Sequence, residues 1–162
     1  MKTNTKHYLN MFFFILVIFL TASIISGCGK DNQKIFEKGM TAYNAQDYKT
    51  AVEQFTIAAN NGHVEAQYWI AECYSHGNGV EKDYKEAFKW QFKAAEQGYP
   101  DAQVKIGHFY STEFLSQKAG IKTDRKEAEM WYRKAIEQRN TAPEAAEAAE
   151  VALNSMKNSY GF

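Results

Sequence analysis

The chain has 162 residues, 19 basic and 19 acidic side chains and a formal net charge of zero. That balance leaves no electrostatic footprint for nucleic acid. Only two cysteines, Cys28 and Cys73, are present, so the fold has to be held by its core and not by a disulfide framework.

The chain opens with Lys2, Lys6 and His7, followed by an apolar run from Met11 to Leu20 that continues less strictly to Ile25. A basic start, an apolar stretch and then small residues have the layout of a secretory signal segment. The segment is slightly short for a spanning helix, which needs about 17–25 apolar residues. Ile25-Ser26-Gly27-Cys28 resembles a lipobox, in which an aliphatic residue and two small residues precede the cysteine that receives a lipid. The resemblance implies cleavage after residue 27, a lipid on Cys28 and a short tether over 28–33. Gly29, not Asp, follows the cysteine; in enteric-type bacteria that resembles release to the outer membrane, facing the periplasm. Loss of Lys2 and Lys6 would leave the mature chain with a small acidic excess.

From Lys34 onward the sequence repeats. Asp47-Tyr48-Lys49-Thr50-Ala51, Asp83-Tyr84-Lys85-Glu86-Ala87 and Asp124-Arg125-Lys126-Glu127-Ala128 each open an amphipathic stretch. Their inward positions are Ala51, Phe55, Ala58 and Ala59; Ala87, Gln91, Ala94 and Ala95; Ala128, Tyr132, Ala135 and Ile136. Before each lies a second stretch: Phe36, Gly39, Ala42, Tyr43; Ala66, Ile70, Ala71, Tyr74; Ala102, Ile106, Gly107, Tyr110. Spacings of three and four place each set on one helical face, which predicts three helix–turn–helix units. Asp83 with Glu86, Asp124 with Glu127 and Thr141 with Glu144 have capping-box spacing. Gly62 and Gly98 stand where a left-handed helix end is needed. Gly39, Ala71 and Gly107 are small enough for paired helices to approach closely. After Pro143, an Ala- and Glu-rich stretch predicts a terminal helix covering the open end.

The first unit, Gly39 through Ala51 with Phe55 and Ala58, resembles a tetratricopeptide repeat (TPR). The second has a longer loop, Gly77-Asn78-Gly79-Val80-Glu81-Lys82-Asp83-Tyr84, followed by Ala87, Trp90, Ala94, Ala95 and Gly98, and is similar to the Sel-like repeat. The third keeps Gly107, Tyr110, Asp124, Ala128, Trp131, Tyr132 and Ala135, but departs by a further loop insertion and by Arg139 in place of the closing glycine. The resemblance implies an all-α fold, a right-handed α-solenoid of antiparallel helix pairs. The units are 34–62, 63–98 and 99–140, with a capping helix and tail over 141–162.

The residues assemble no catalytic set. Cys73 reads as a small inert core residue. Secreted Sel-like proteins proposed as β-lactamases carry paired cysteines in every repeat; these are absent here, as is any S-x-x-K motif. His63, His76 and His108 lack metal-ligand spacing, although His76 and His108 could share a pocket. Gly77-Asn78-Gly79 lacks the ending of a phosphate loop. No cofactor, metal or catalytic residue is expected. Trp90 and Trp131 recur at the repeat period, as core residues would, whereas Trp69 stands outside it.

The repeat resemblance implies a protein-binding groove lined by the first helix of each unit. Tetratricopeptide groove positions carried onto this register are Phe36, Met40, Tyr43, Asn44, Glu65, Tyr68, Glu72, His76, Asp101, Val104, His108 and Ser111. The acidic members would favour basic or amide groups on a protein or peptide partner. The loop from Thr112 to Thr123 is a second candidate surface. The expected function is that of a lipid-anchored envelope adaptor or assembly factor. Two alternatives are a periplasmic immunity protein that plugs a secreted antibacterial toxin, and a hydrolase of cell-wall material or β-lactams, for which no nucleophile and base are found.

Overall fold

The computed structural model describes residues 31–159. The signal segment expected over 1–27, Cys28 and the tail over 160–162 lie outside the described residues. The helices, in chain order, are α1 (31–44), α2 (Tyr48–Asn60), α3 (Val64–His76), α4 (Tyr84–Glu96), α5 (Pro100–Ser111), α6 (Glu113–Ala119), α7 (Arg125–Glu137) and α8 (Pro143–Ser159). They form an α-solenoid in which α1/α2, α3/α4 and α5/α7 are the pairs and α8 packs on the last of them.

The second helix of each pair starts on an aspartate, Asp47, Asp83 or Asp124. The Asp83 carboxylate accepts from the backbone N–H of Lys85 and Glu86, and Asp124 does the same for Lys126 and Glu127. The expected reciprocal half of the capping box is replaced. The backbone N–H of Asp83 donates to Tyr74 O, and that of Asp124 to Tyr110 O, each at 3.0 Å. The second helix is thereby tied to the end of the first. Thr141 does not cap α8: its hydroxyl donates back to Gln138 O and the helix begins at Pro143.

Gly62 and Gly98 adopt φ of 88° and 91°, and each closes its helix with the paired bonds of a Schellman turn. Gly62 N–H donates to Ala59 O and His63 N–H to Ala58 O, while Gly98 and Tyr99 repeat the pattern on Ala95 and Ala94. Arg139 cannot take that conformation cheaply. After α7 the chain instead runs through a longer turn, with Thr141 and Ala142 N–H both donating to Gln138 O.

Two expectations on the connections are corrected. Residues 31–33, assigned to the tether, are already helical, and Asn32 is buried, its side chain accepting from Asn61 Nδ2 at 2.8 Å. The Thr112–Thr123 loop contains a helix, α6. Ser116 and Ala119 are buried there, and Ser116 Oγ donates to Phe109 O at 2.6 Å.

The core divides at the joints between pairs. One cluster gathers Ala51, Phe55, Ala58, Ile70 and Cys73. A second holds Ala87, Ala94, Ile106, Phe109 and Trp131. The third holds Val104, Tyr132, Ala149, Leu153 and Met156, and closes the array with α8. Alanine dominates because it lets helix backbones come close while still removing apolar surface from water. Trp131 is buried and Trp90 packs at the edge of its cluster. A lysine three residues on covers each ring, with Lys93 Nζ 3.9 Å and Lys134 Nζ 4.0 Å from the centroids. Trp69, outside the period, fills the first joint against Tyr43 and Phe55 at 5.1 and 6.2 Å.

A polar device also recurs at the joints. Gln67 Nε2 donates to Ala59 O across the first joint, and its Oε1 accepts from Gln97 Nε2. Thirty-six residues on, Gln103 Nε2 donates to Ala95 O and its Oε1 accepts from Gln138 Nε2. Both central glutamines are buried, and each amide adds a second bond to a helix-end carbonyl that already accepts from the closing glycine, so that its own buried polar atoms are paired.

Candidate binding face

The sequence-predicted positions all lie on the first helices α1, α3 and α5. Phe36 and Tyr68 stand there half-buried, each against the residue that starts the next first helix. Phe36 stacks on His63 at 4.7 Å and Tyr68 meets Tyr99 at 5.0 Å. Burial, with Glu72 and Asp101 nearby, raises the Tyr68 hydroxyl well above the ordinary tyrosine range. Met40 and Tyr43 pack on the first core cluster, and Tyr43 Oη accepts from Asn78 Nδ2 at 3.2 Å. Asn44, Glu65, His76 and Asp101 are exposed.

Val104 is a correction. It is buried at 7% exposure in the cluster formed with α8, so the capping helix covers the position that the register left open to a partner.

The remaining three predicted residues, Glu72, His108 and Ser111, line two adjacent cavities together with His76. One, of about 280 Å³, lies between α3 and α5 and is lined by Glu72, His76, Gln91, Lys105, His108 and Leu115 among others. The other, of about 290 Å³, lies between α5 and α8 and is lined by His108, Ser111, Tyr132 and Met156 among others. His108 belongs to both walls, so His76 and His108 do share a cavity.

In the first cavity, the Glu72 carboxylate accepts from Gln91 Nε2 at 2.9 Å and from Lys105 Nζ at 3.1 Å. Its side chain is only 13% exposed, and the lysine compensates the buried charge. In the second, Tyr132 Oη lies 3.0 Å from both His108 Nδ1 and Ser111 Oγ. Burial, helped by the Lys105 ammonium, pushes the His108 pKa below its ordinary value, so the ring is neutral at neutral pH.

Gln91, Lys105, Tyr132 and the α8 residues were not among the predicted positions. Gln91 and Tyr132 come from second helices, and the groove register counts first helices only. Cys73 is fully buried, and burial, followed by the Glu72 charge, pushes its thiol up to about 11. A thiol so placed is almost entirely protonated at neutral pH and is a poor nucleophile. Among the described residues no group of three His, Cys, Asp or Glu side chains could hold a metal ion, and no helix is long and apolar enough to cross a membrane.

Comparison with known proteins agrees with this architecture. The Sel1 repeat family profile matches residues 64–99 and 100–140. An exopolysaccharide production negative regulator of Rhizobium meliloti is 33% identical over 75 residues, covering 46% of this chain and 28% of the regulator. The chitin synthase regulator SKT5 of Saccharomyces cerevisiae is 37% identical over 79 residues, covering 48% of this chain and 11% of that protein. The chain thus spans less than a third of either curated relative. Among solved structures, a Sel1 repeat protein from Oxalobacter formigenes superposes with a TM-score of 0.63 at 32% identity, over 77% of this chain and 47% of that one. The protective antigen c5321 of uropathogenic Escherichia coli gives 0.56 at 27% identity, over 80% of this chain and 30% of that one. Residues 64–99 and 100–140 are thus Sel1 repeats, and the helical array they belong to has the fold of solved Sel1-repeat proteins.

Proposed function

We propose that the protein is an adaptor of the cell envelope, held at a membrane by a lipid on Cys28 and docking another protein along the face formed by α1, α3, α5 and α8. The observation that carries the docking reading is the pair of cavities that share His108 in their walls, one between α3 and α5 and the other between α5 and α8. Repeats of this family are protein-interaction modules, and stacked arrays offer extended concave surfaces to peptides and helices. Two relatives are named as regulators and not as catalysts, which supports a non-enzymatic role. The membrane half of the reading is supported by the basic start, the apolar run and Ile25-Ser26-Gly27-Cys28.

Affinity capture on the tagged full chain from detergent-solubilised envelope tests both halves. One dominant protein should be recovered, and should be lost from the doubly substituted His76→Glu/Asn44→Lys chain. Both positions are exposed, so the fold is expected to stay within about 0.5 kcal/mol of the parent. Recovery that survives the double substitution would move the docking site elsewhere. Cys28→Ser should release the protein from sedimenting membranes and abolish incorporation of labelled fatty acid; unchanged sedimentation and labelling would remove the anchor.

A further inference from the structure

The insertion that sets the third repeat apart builds a surface away from the first-helix face. Helix α6 packs against α4 and α5, with Ser116 and Ala119 buried. Phe114 and Lys118 are four residues apart and share the opposite side of the helix. Phe114 is left 54% exposed, and Lys118 is exposed as well.

That side of α6 meets the start of α4. The Phe114 and Tyr84 rings lie edge to face, with centroids 6.0 Å apart. Lys82 Nζ stands 5.1 Å from the Tyr84 centroid, and Lys118 Nζ 5.9 Å from that of Phe114. Beside the rings, Lys82, Asp83, Tyr84, Lys85 and Lys118 line an open hollow of about 410 Å³. Among the described residues none of these three lysines makes an ion pair, whereas Lys89 pairs with Glu86 and Lys105 with Glu72. The carboxylate on the wall, Asp83, already accepts from the N–H groups of Lys85 and Glu86 at 2.8 and 3.2 Å. Glu81 and Glu113, close in sequence, do not line the hollow.

Charge and rings together narrow the occupant. Ammonium groups without partners attract anionic groups, and a half-exposed phenyl ring beside them offers an apolar contact. A concave site admits a protruding chain segment better than it fits a flat bilayer. Position favours the same choice. Asn61 bonds to Asn32, near the start of α1, whereas Asn78, in the loop leading to Lys82, bonds to Tyr43 near its end. The hollow therefore lies at the edge of the array reached by travelling about 20 Å along α1 from residue 31. With a lipid on Cys28, as proposed above, that edge is turned away from the membrane.

We infer that the hollow between α6 and the start of α4 is a docking site for an acidic segment of a partner protein, in which Asp or Glu residues flank a large apolar side chain. The carboxylates meet Lys82, Lys85 and Lys118, and the apolar side chain lies on Phe114 and Tyr84. The site is separate from the first-helix face, and only its orientation rests on the lipid reading.

The test pans displayed random peptides over the detergent-solubilised full chain, and in parallel over Lys82→Glu/Lys118→Glu and His76→Glu/Asn44→Lys. All four positions are exposed, and helical circular dichroism should be unchanged. Peptides lost from the lysine variant but kept by the other should be enriched in Asp and Glu around Phe, Leu, Ile or Trp. The best of them should bind about tenfold more weakly to Lys82→Glu/Lys118→Glu, as expected for two exposed ion pairs lost and reversed. Binding should also weaken in Phe114→Ser and as salt is raised. On the full chain in phosphatidylcholine vesicles, the same peptide should slow acylation of Lys82, Lys85 and Lys118, but not of Lys38, read by mass spectrometry.

A library yielding no such acidic peptide, or binding indifferent to the lysine reversal, would overturn the inference. So would acidic peptides lost only from His76→Glu/Asn44→Lys, which would belong to the first-helix face. Protection of the three lysines by phosphatidylglycerol added to the vesicles without peptide would make the bilayer the occupant, and would overturn it as well.

Discussion

Gly107 is fixed by the ring it faces. Its missing Cβ is the space that Tyr132 fills, and Tyr132 in turn holds His108 and Ser111. Gly107→Ala is expected to lower unfolding free energy by about 1–3 kcal/mol through overpacking, read as a shift in the urea midpoint, and to disturb the second cavity as well. Two pH limits also follow from single residues. His108 is held less basic in the fold than its ordinary 6.5. The stability tied to its neutral form is complete above that value and is lost as pH falls below it towards the depressed folded value. The thermal midpoint should therefore decline below about pH 6.5 more steeply in the parent than in His108→Gln. On the alkaline side, Cys73 is raised from 9.0 to about 11, and burial likewise raises Tyr68, Tyr99, Tyr110 and Tyr132. The Cys73 contribution is whole below 9.0 and drains away as pH climbs to about 11, and the tyrosine contributions begin to drain once pH passes their ordinary 10.0. Thermal melts across that range should show the loss, and Cys73 should resist alkylation at pH 8 until denaturant is added.

At the scale of elements, the paired helices were legible because each carries a one-face apolar stripe, and the second of each pair has an aspartate at its start. Six of the eight lie in the three pairs read directly from Ala51, Ala87, Ala128 and their partners. What escaped did so for physical reasons. The seven-residue helix α6 is too short for periodicity to declare itself, and only its packing of Ser116 and Ala119 makes it a helix. Thr141 lost its expected capping role because Arg139 cannot adopt the left-handed conformation of Gly62 and Gly98, so the turn lengthened. Val104 left the groove because a linear register does not say which face the last helix will cover. The glutamine bonds were missed although Gln67 and Gln103 recur at the repeat period, because attention to apolar positions passes over a buried amide. Gln67→Ala would remove one of the two bonds to Ala59 O and one of the two made by the Gln97 amide, and is expected to cost about 0.5–1.5 kcal/mol, measured by chemical denaturation. Gln97→Ala should cost less, because that side chain stands at the exposed helix end.

At the scale of the whole molecule, the core is a series of joints and not a centre. Each cluster spans neighbouring elements only, so stability is set by nearest-neighbour terms. A chain ending at Ala142 would uncover Val104, Tyr132, Ala135 and the other α8-facing residues of the third cluster. Amide hydrogen exchange should then accelerate in α5 and α7, while α2 and α3 stay protected. Uniform acceleration along the chain would show that the array unfolds as one unit despite its construction.

The paired glutamines give this linearity a consequence for how such chains grow. Each carbonyl at the end of one second helix is met by an amide from the next pair, and that amide is held by a residue of its own pair. No partner is borrowed from further away. A duplicate of residues 64–99 inserted after itself would arrive with its own Gln67 to receive the Ala95 carbonyl before it, and its own Ala95 to offer to Gln103 after it. Lengthening therefore keeps every glutamine bond at the joints, and asks only that a cation replace Trp69 of the second copy, which would stand where Lys105 now meets Glu72. The two solved relatives, of which this chain covers 47% and 30%, show that larger proteins accommodate the same kind of array, and this one has the grammar to be extended a pair at a time.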